Sequence, residues 1–235
     1  MASVSQPPRL YRGISPAERR AQRRERLFDA GVEQFGNQGY AQSSIRSVCA
    51  EASLNSRYFY ESFTSREDLL FHVYTRVIEG LAFDVIKATG QAESIEQQAQ
   101  AGLRAAWDAL GEDPRQAKII FVEAVGVSER LERLRRDNMH AFADLLVQNS
   151  RLVTGDDVPL RLDPVLTARS LMGAVVDIQL DWLNGDVDAS VDEIVDHFTK
   201  LFTAVAYASV TDPAAAHRPR RTRSAGSTRS ATPSE

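Results

Sequence analysis

Hydrophobic residues recur along most of the chain at the three- and four-residue spacing of amphipathic helices, and no alternating stretch is long enough to indicate a strand. Ser or Asp with an acid or amide three residues later marks several helix starts, and glycines, including Gly36 and Gly39 for the first helix, mark the ends. We therefore expect an all-α fold. The predicted helices lie at about 16–35, 44–51, 55–62, 66–88, 94–110, 114–126, 128–152, 164–184 and 190–208.

The second and third of these helices are unusually short and are separated by a tight turn. The first of the pair carries one buried stripe, formed by Ile45, Val48, Cys49 and Ala52. The second begins at Asn55, a good N-cap residue. Two short helices joined in this way form a helix-turn-helix, whose second helix can enter the DNA major groove. The alternative is an ordinary helical hairpin whose outer face is only hydrated.

The run Arg57-Tyr58-Phe59-Tyr60 can be divided between core and surface. Leu54, Phe59 and Phe63 share one side of the helix and are expected to face the core. The outward side chains are then Asn55, Ser56, Arg57, Tyr60 and Glu61, with Tyr58 at the boundary. Arginine can contact guanine with two hydrogen bonds, Asn and Ser can contact base edges or phosphates, and tyrosine hydroxyls reach phosphates.

The segment GYAQSSIRSVCAEASLNSRYFYESFTSREDLL resembles the DNA-binding head of the tetracycline-repressor (TetR) family of bacterial regulators. The similarity lies in the Gly39-Tyr40 corner, the aromatic helix with Tyr60-Glu61-Ser62-Phe63, and Ser65-Arg66-Glu67-Asp68-Leu69 at the next helix start. With Asn55 from the outward face, the resemblance gives the DNA-binding candidates Ser44, Arg46, Asn55, Ser56, Arg57, Tyr58, Tyr60, Ser62 and Arg66. Arg46 and Arg57 are the candidates for base contacts.

Two positions depart from the family pattern. Ser53 stands where the family usually has a glycine in the turn, and a non-glycine residue in the left-handed conformation costs about 1–2 kcal/mol. Arg57 stands where the family often has a small residue. This second departure leaves open which DNA sequence is recognised. Binding in the groove is still expected.

Charge is distributed unevenly along the chain. Residues 1–66 carry a net charge of +4, residues 67–211 carry −11 and residues 212–235 carry +3, so polyanion contact is expected at the ends. The first helix contributes arginines that can contact the phosphate backbone beside the groove, namely Arg19, Arg20, Arg23, Arg24 and Arg26. The alternative is a solvated helix face with local ion pairs.

These patterns predict four parts: a disordered arm at 1–14, a helix-turn-helix domain at 15–66, an effector-binding and dimerisation domain at 67–211, and a disordered basic tail at 212–235. The arm and tail are too poor in large apolar residues to offset the entropy of ordering. No apolar run reaches the length of a membrane helix, and Cys49 has no cysteine partner. We expect a soluble cytoplasmic protein without a membrane partner.

The last two long helices are apolar on more than one side, which indicates burial against a second subunit. The resemblance implies the same homodimer, because the family commonly dimerises through these helices. It also implies a pocket in the body for a small-molecule effector that controls DNA affinity. The candidate lining residues are Phe83, Arg104, Trp107, Phe121, Glu123, Phe142 and Met172, with Asp177 or Trp182 near the dimer seam. Each of these is otherwise an ordinary core or surface residue.

No nucleophile elbow, phosphate-binding loop or zinc-ligand spacing occurs in the sequence, and Asp137 with His140 is an isolated ligand-like pair. We therefore expect no metal, no cofactor and no catalysis. The expected function is that of a ligand-responsive repressor that binds a palindromic DNA operator as a homodimer. The alternative is a helical-bundle enzyme or small-molecule-binding protein whose N-terminal helices do not bind DNA.

Overall fold

The computed structural model describes residues 15–154 and 160–209, in which every regular element is a helix. The prediction of an all-α fold is confirmed, whereas the expected arm and basic tail lie outside the described residues. The helices are α1 (Pro16–Glu33), α2 (Ile45–Glu51), α3 (Ser56–Tyr60), α4 (Arg66–Thr89), α5 (Ile95–Glu112), α6 (Pro114–Lys118), α7 (Glu129–Thr154), α8 (Pro164–Asn184) and α9 (Val191–Ser209). Two π-helical turns continue α1 and α6, at Gln34–Gln38 and Ile119–Glu123.

The helix starts follow the capping pattern of the sequence. Ser15 and Glu18 exchange side-chain and backbone hydrogen bonds in a full capping box at α1. At α4 the Ser65 hydroxyl accepts the Asp68 N–H, but the Asp68 carboxylate accepts the N–H of Thr64 instead of Ser65. Asp68 therefore stabilises both the N-cap of α4 and the residue that precedes the cap.

Gly36 has a different role from the one that the sequence suggested. It does not end the first helix, which runs on to Gln38 and stops at Gly39 with a φ of 91°. A Cβ at Gly36 would lie 2.4 Å from the Cβ of Arg115 on α6. The glycine therefore permits the close approach of two helices, and Gly39 supplies the turn.

The described residues form two apolar cores. The larger core joins α1–α3, which we call the head, to α4, α6 and the start of α7, with fully buried residues such as Phe35, Phe59 and Leu69. The smaller core lies between α5, α8 and α9, around Trp107 and Phe198. We call α4–α9 the body. Because α4 packs against both α1 and α5, it connects the head to the rest of the body.

Candidate nucleic-acid interface and ligand cavity

The aromatic helix α3 is divided between core and surface as its sequence predicts. Phe59 is 0% exposed and Phe63 2% exposed, and Leu54 is half-buried. On the outer side, Tyr60 is 59% exposed and the side chain of Arg57 is 86% exposed. A large aromatic ring and a long cation are therefore presented to solvent by a helix whose other face is fixed in the core.

The two helix starts of the motif are capped by predicted DNA-binding residues. The Ser44 hydroxyl accepts a hydrogen bond from the Ser47 N–H at 3.0 Å, and the Ser47 hydroxyl accepts one from the Ser44 N–H at 2.9 Å. Asn55 Oδ1 accepts the Tyr58 N–H at 3.3 Å. Both residues remain exposed at the surface, as do Arg46 and Ser56. Their side chains thus fix where α2 and α3 begin.

The turn between α2 and α3 contains Ser53 in the left-handed conformation, with a φ of 50°. The N–H of Ser53 donates to Ala50 at 3.0 Å, and the N–H of Leu54 donates to Cys49 at 2.8 Å. This pair of bonds is a Schellman motif, which normally has glycine at the position of Ser53. The turn keeps the geometry of the glycine-containing form, and the serine is strained by it.

Arg23 on α1 is directed at α3. Its guanidinium is paired with the Glu61 carboxylate at 3.0 Å and lies 4.4 Å from the centre of the Tyr58 ring. Glu61 is also 3.8 Å from the Arg57 guanidinium. Arg23 was a candidate for phosphate contact, and the structure instead gives its charge an intramolecular partner.

Two neighbouring arginines of α1 are engaged in the same way. Arg24 donates to the carbonyl of Ser62 at 3.0 Å and lies 4.6 Å from the centre of the Phe63 ring. Arg26 donates to the carbonyl of Ala52 at the turn. The basic helix therefore holds the turn and the end of α3 in position, while Arg20 stays exposed.

Arg66, predicted to contact phosphate, also points into the protein. Its guanidinium donates to the carbonyl of Ser43 and lies 4.1 Å from the centre of the Tyr40 ring. Arg66, Tyr58 and Ser62 are half-buried. The fully exposed members of the predicted DNA-binding set are Ser44, Arg46, Asn55, Ser56, Arg57 and Tyr60. Sequence periodicity could not separate the two groups, because the partners of the Tyr58 and Arg66 side chains lie far away in the chain.

A cavity of about 260 Å³ lies within the body, between α4, α5, α7, α8 and α9, and its wall is mostly aliphatic and aromatic. Of the predicted lining residues, Phe121, Phe142 and Met172 are in this wall. The polar lining side chains were missed by the sequence analysis; among them are Tyr74, Asn138 and Gln179. No spacing signal in the sequence distinguishes them from ordinary surface or packing residues.

The other predicted lining residues lie elsewhere. Phe83 is 65% exposed, because the inner face of α4 is formed by Ile78, Leu81, Val85 and Thr89. Arg104 pairs with Asp192, Trp107 packs on Phe198 at a ring distance of 5.8 Å, and Asp177 is exposed on α8. The helical periodicity of the sequence identified helices but not the face that borders the cavity. The remaining candidate, Glu123, lies at the junction with the head.

Glu123 ends the π turn Ile119–Glu123, which we call the junction turn. Its carboxylate accepts the backbone N–H of Tyr40 at 2.6 Å, and Lys118 lies 3.7 Å from the same carboxylate. Ile120 and Phe121 of the same turn line the cavity. The wall of the cavity and the Gly-Tyr corner of the head are thus joined through one short stretch of backbone.

A second junction contact is made by Arg115 on α6. Its guanidinium is paired with Asp113 at 2.8 Å and with Glu33 on α1 at 2.5 Å. The hydrogen bonds from Arg115 lower the pKa of the Asp113 carboxyl, against the opposing effect of burial. Head and body are therefore linked by charged groups as well as by apolar packing.

A third contact joins the start of α4 to the start of α7. Arg130 lies 3.2 Å from Asp68, and the Ser128 hydroxyl donates to Glu67 at 2.7 Å. Burial of Asp68 opposes ionisation, but the hydrogen bonds from Thr64 and Arg130 outweigh it and lower the pKa of the carboxyl. The N-terminal end of α4 is thus fixed to a helix that also lines the cavity.

The described residues contain no helix long and apolar enough to cross a membrane. Within the same part of the chain, no group of three or more His, Cys, Asp or Glu side chains is placed to hold a metal ion.

Comparison with known proteins supports the reading of the head. The family model for bacterial regulatory proteins of the tetR family matches residues 27–73, which extend from α1 through the helix-turn-helix into α4. No curated protein sequence matches the chain.

Solved structures of bacterial regulators share the fold over most of the chain. The fatty acid degradation regulator FadR from Bacillus halodurans has a TM-score of 0.68 at 16% identity, over 77% of this chain and 94% of its own. FadR from Bacillus subtilis, in complex with stearoyl-CoA, has a TM-score of 0.68 at 15% identity, over 76% and 96%. A TetR-like transcriptional regulator from Rhodococcus has a TM-score of 0.61 at 17% identity, over 79% and 93%. The tetR family model therefore matches the head, and solved structures of bacterial regulators share the fold over most of the chain.

Proposed function

We propose that this protein belongs to the TetR family and acts as a ligand-responsive, DNA-binding repressor. A homodimer occupies a palindromic operator, and an effector bound in the body lowers its affinity for that operator. The observation that carries this proposal is the outer face of α3, where Arg57 and Tyr60 are exposed on a helix that three arginines of α1 hold in place. A surface so fixed and so polar suits a rigid partner such as duplex DNA.

The exposed side chains divide by their chemistry. Arg57 on α3 and Arg46 on α2 are the groups that can donate two hydrogen bonds to the O6 and N7 atoms of guanine. Tyr60, Ser56 and Ser44 are short or neutral donors suited to phosphate oxygens. The half-buried side chains of Tyr58 and Arg66 have internal partners, so their role is to position the exposed face of α3. Ser62 is half-buried as well, and its backbone carbonyl accepts a hydrogen bond from Arg24. Asn55 remains available beside its capping role.

A second copy of the chain would dock on α8 and α9. Leu166 at the start of α8 is 66% exposed, and a Cβ at Gly173 would meet no atom within 4 Å. Ala204 and Ala208 are exposed on α9. Small and apolar surfaces on two long helices allow close packing against the same helices of a partner. The resulting pair of heads could contact two half-sites on one face of the DNA.

The effector that fits the cavity best is a fatty-acyl compound. The wall is largely aliphatic, and on α4 it extends from Tyr74 to Thr89, a rise of about 22 Å at 1.5 Å per residue. Arg151, the single charged side chain among the described lining residues, is exposed and can pair with an anionic head group. The structural relative from Bacillus subtilis was crystallised with stearoyl-CoA, which is consistent with this class of ligand.

The junction turn provides a route from the cavity to the head. A ligand that displaces Ile120 or Phe121 also moves Glu123, which accepts the Tyr40 N–H. The Tyr40 ring in turn lies under Arg66, whose guanidinium holds the residue before the cap of α2. An effector acting through these contacts should change DNA affinity by about 1–3 kcal/mol, the usual size of allosteric coupling.

Gel-shift experiments with the promoter region beside its own gene test the DNA half of the proposal. Wild-type protein should bind, and Arg57→Ala and Tyr60→Ala should bind at least about tenfold more weakly with unchanged circular dichroism. Arg133→Ala, which removes an exposed arginine from the outer face of α7, is the matched control and should bind normally. Equal binding by all four proteins would exclude α3 as the helix that contacts the DNA bases.

The effector half is tested by adding acyl-CoA compounds of increasing chain length to the preformed complex. Long chains should release the DNA, and free coenzyme A should not. Release by no chain length, although the protein binds its promoter normally, would refute the acyl class while leaving the DNA-binding role intact.

A further inference from the structure

One polar group in the cavity wall has no partner. Gln179 on α8 is 4% exposed, and its side-chain nitrogen Nε2 is buried without an acceptor. A buried donor left without a hydrogen bond costs about 1–3 kcal/mol. Natural proteins rarely keep such a group unless something outside the chain satisfies it.

The other described polar side chains of the wall do not share this property. Three hydroxyls donate to carbonyls one turn earlier on their own helices, those of Thr89, Thr167 and Ser209. Asn138 hydrogen-bonds the hydroxyl of Tyr74. Gln98 is half-buried and Arg151 is exposed, so among the described side chains that line the cavity Gln179 is the one whose buried donor has no partner.

We propose that Gln179 is the specificity-determining residue of the cavity, and that its Nε2–H donates a hydrogen bond to a neutral oxygen within the buried part of an apolar ligand. This inference rests on the proposed function, because it concerns the same cavity. It adds that a plain hydrocarbon chain is not the preferred ligand. The chemistry recognised is a carbonyl oxygen flanked by alkyl groups, as in an ester, a thioester or a ketone.

The charge of the lining explains why the acceptor is neutral. Arg151 is the one cation among the described lining residues, and it is exposed. A carboxylate placed beside Gln179 would be buried with a single amide to stabilise it, and desolvation of an ion without a partner is costly. An anionic head group therefore pairs at Arg151, and the oxygen that meets Gln179 is uncharged.

Gln179→Met tests the inference, because methionine keeps the length of the side chain and removes its polar atoms. Binding of dodecane and of methyl dodecanoate is measured by displacement of a fluorescent fatty acid from the full-length protein. The variant should bind methyl dodecanoate roughly tenfold more weakly than wild type does, and dodecane equally well. Comparing the two ratios removes the difference in hydration between the probes.

Thr167→Val is the matched control. It also makes the wall less polar, but its hydroxyl is already bonded to the carbonyl of Asp163, so the ratio of the affinities for the two probes should stay at its wild-type value. Dodecanoic acid tests a ligand whose carboxylate is free. If the carboxylate lies at Arg151, Gln179→Met should weaken binding of the acid less than binding of the ester. If the acid carbonyl reaches Gln179, the substitution should weaken binding of both compounds equally.

Several outcomes would overturn the proposal. Equal losses for dodecane and methyl dodecanoate would mean that Gln179 only shapes the wall, and no loss for either would mean that its amide meets no ligand atom. Failure of wild type to bind either probe would refute the acyl class of effector as well as this inference. Should the variant not fold, the side-chain amide protons of Gln179 in wild type must still shift downfield in NMR spectra with methyl dodecanoate and not with dodecane.

Discussion

Replacing Arg23 by alanine separates positioning of the recognition helix from contact with DNA. With five residues, α3 is far too short to be stable as an isolated helix, so its order depends on the contacts around it. Arg23 supplies a 3.0 Å ion pair to Glu61 and lies 4.4 Å from the Tyr58 ring centre, with 22% of its side chain exposed. A partly exposed pair contributes about 0.5–1 kcal/mol, and the cation–π contact a similar amount.

Arg23→Ala should therefore weaken operator binding by about 1–2 kcal/mol, or roughly 5- to 30-fold, without direct loss of a DNA contact. Fluorescence anisotropy titrations over a range of salt concentrations measure both the affinity and its salt dependence. If Arg23 acts by position, the slope of log K against log salt stays at its wild-type value. Arg20→Ala removes the same charge from an exposed position of α1 and is the control.

A salt slope that falls by about 1 in Arg23→Ala would refute this reasoning, because it would show that the guanidinium neutralises a phosphate. Wild-type affinity would refute it as well. Thermal unfolding of Arg23→Ala, Glu61→Ala and the double variant gives an independent check. The two losses should not add, since each substitution removes the same ion pair.

Three further results are expected. Ser53→Gly should raise the free energy of unfolding by about 0.5–1 kcal/mol in urea titrations, because relief of about 1–2 kcal/mol of left-handed strain exceeds the entropy cost of glycine, and destabilisation would contradict the turn geometry. Glu123→Ala should leave the affinity for the effector unchanged but reduce the effect of the effector on DNA binding. That effect is measured as the ratio of the dissociation constants for DNA with and without effector. An unaltered ratio would show that the Tyr40 contact does not couple the cavity to the head. Arg115 lowers the pKa of Asp113, so ionised Asp113 stabilises the fold above the ordinary pKa of 3.8, and this stabilisation is lost as the pH falls below that value. The difference in free energy of unfolding between wild type and Asp113→Asn should therefore shrink in acid and not grow.

The parts of this molecule that sequence could predict are governed by local rules. Capping residues fix the helix starts, so Ser15, Ser44 and Asn55 could be identified from their neighbours alone. The division of α3 into core and surface follows from helical periodicity, and Phe59 and Tyr60 lie as that periodicity requires. The sequence also marked Ser53 as a departure from the usual glycine of this turn, and the structure shows that the serine adopts the left-handed conformation.

The roles of the charged and polar groups depend on contacts between distant residues, which no local pattern contains. Arg23 and Glu61 are 38 positions apart, and Glu123 and Tyr40 are 83 apart. Gln179 lies between Ile178 and Leu180 on α8, and only the arrangement of five helices shows that it lies in a cavity wall. The sequence therefore predicted which side chains of α3 are exposed better than it predicted their supports or the residues of the cavity wall.

The central claim is that the exposed side chains of α3 read DNA, and Arg57 tests it most directly. Anisotropy titrations of wild type and Arg57→Ala are made at one salt concentration, against the operator and against a random duplex of equal length. We expect the variant to lose about 1–3 kcal/mol of binding free energy on the operator, roughly 5- to 150-fold, and much less on random DNA. Equal affinity of the two proteins for the operator would contradict the claim.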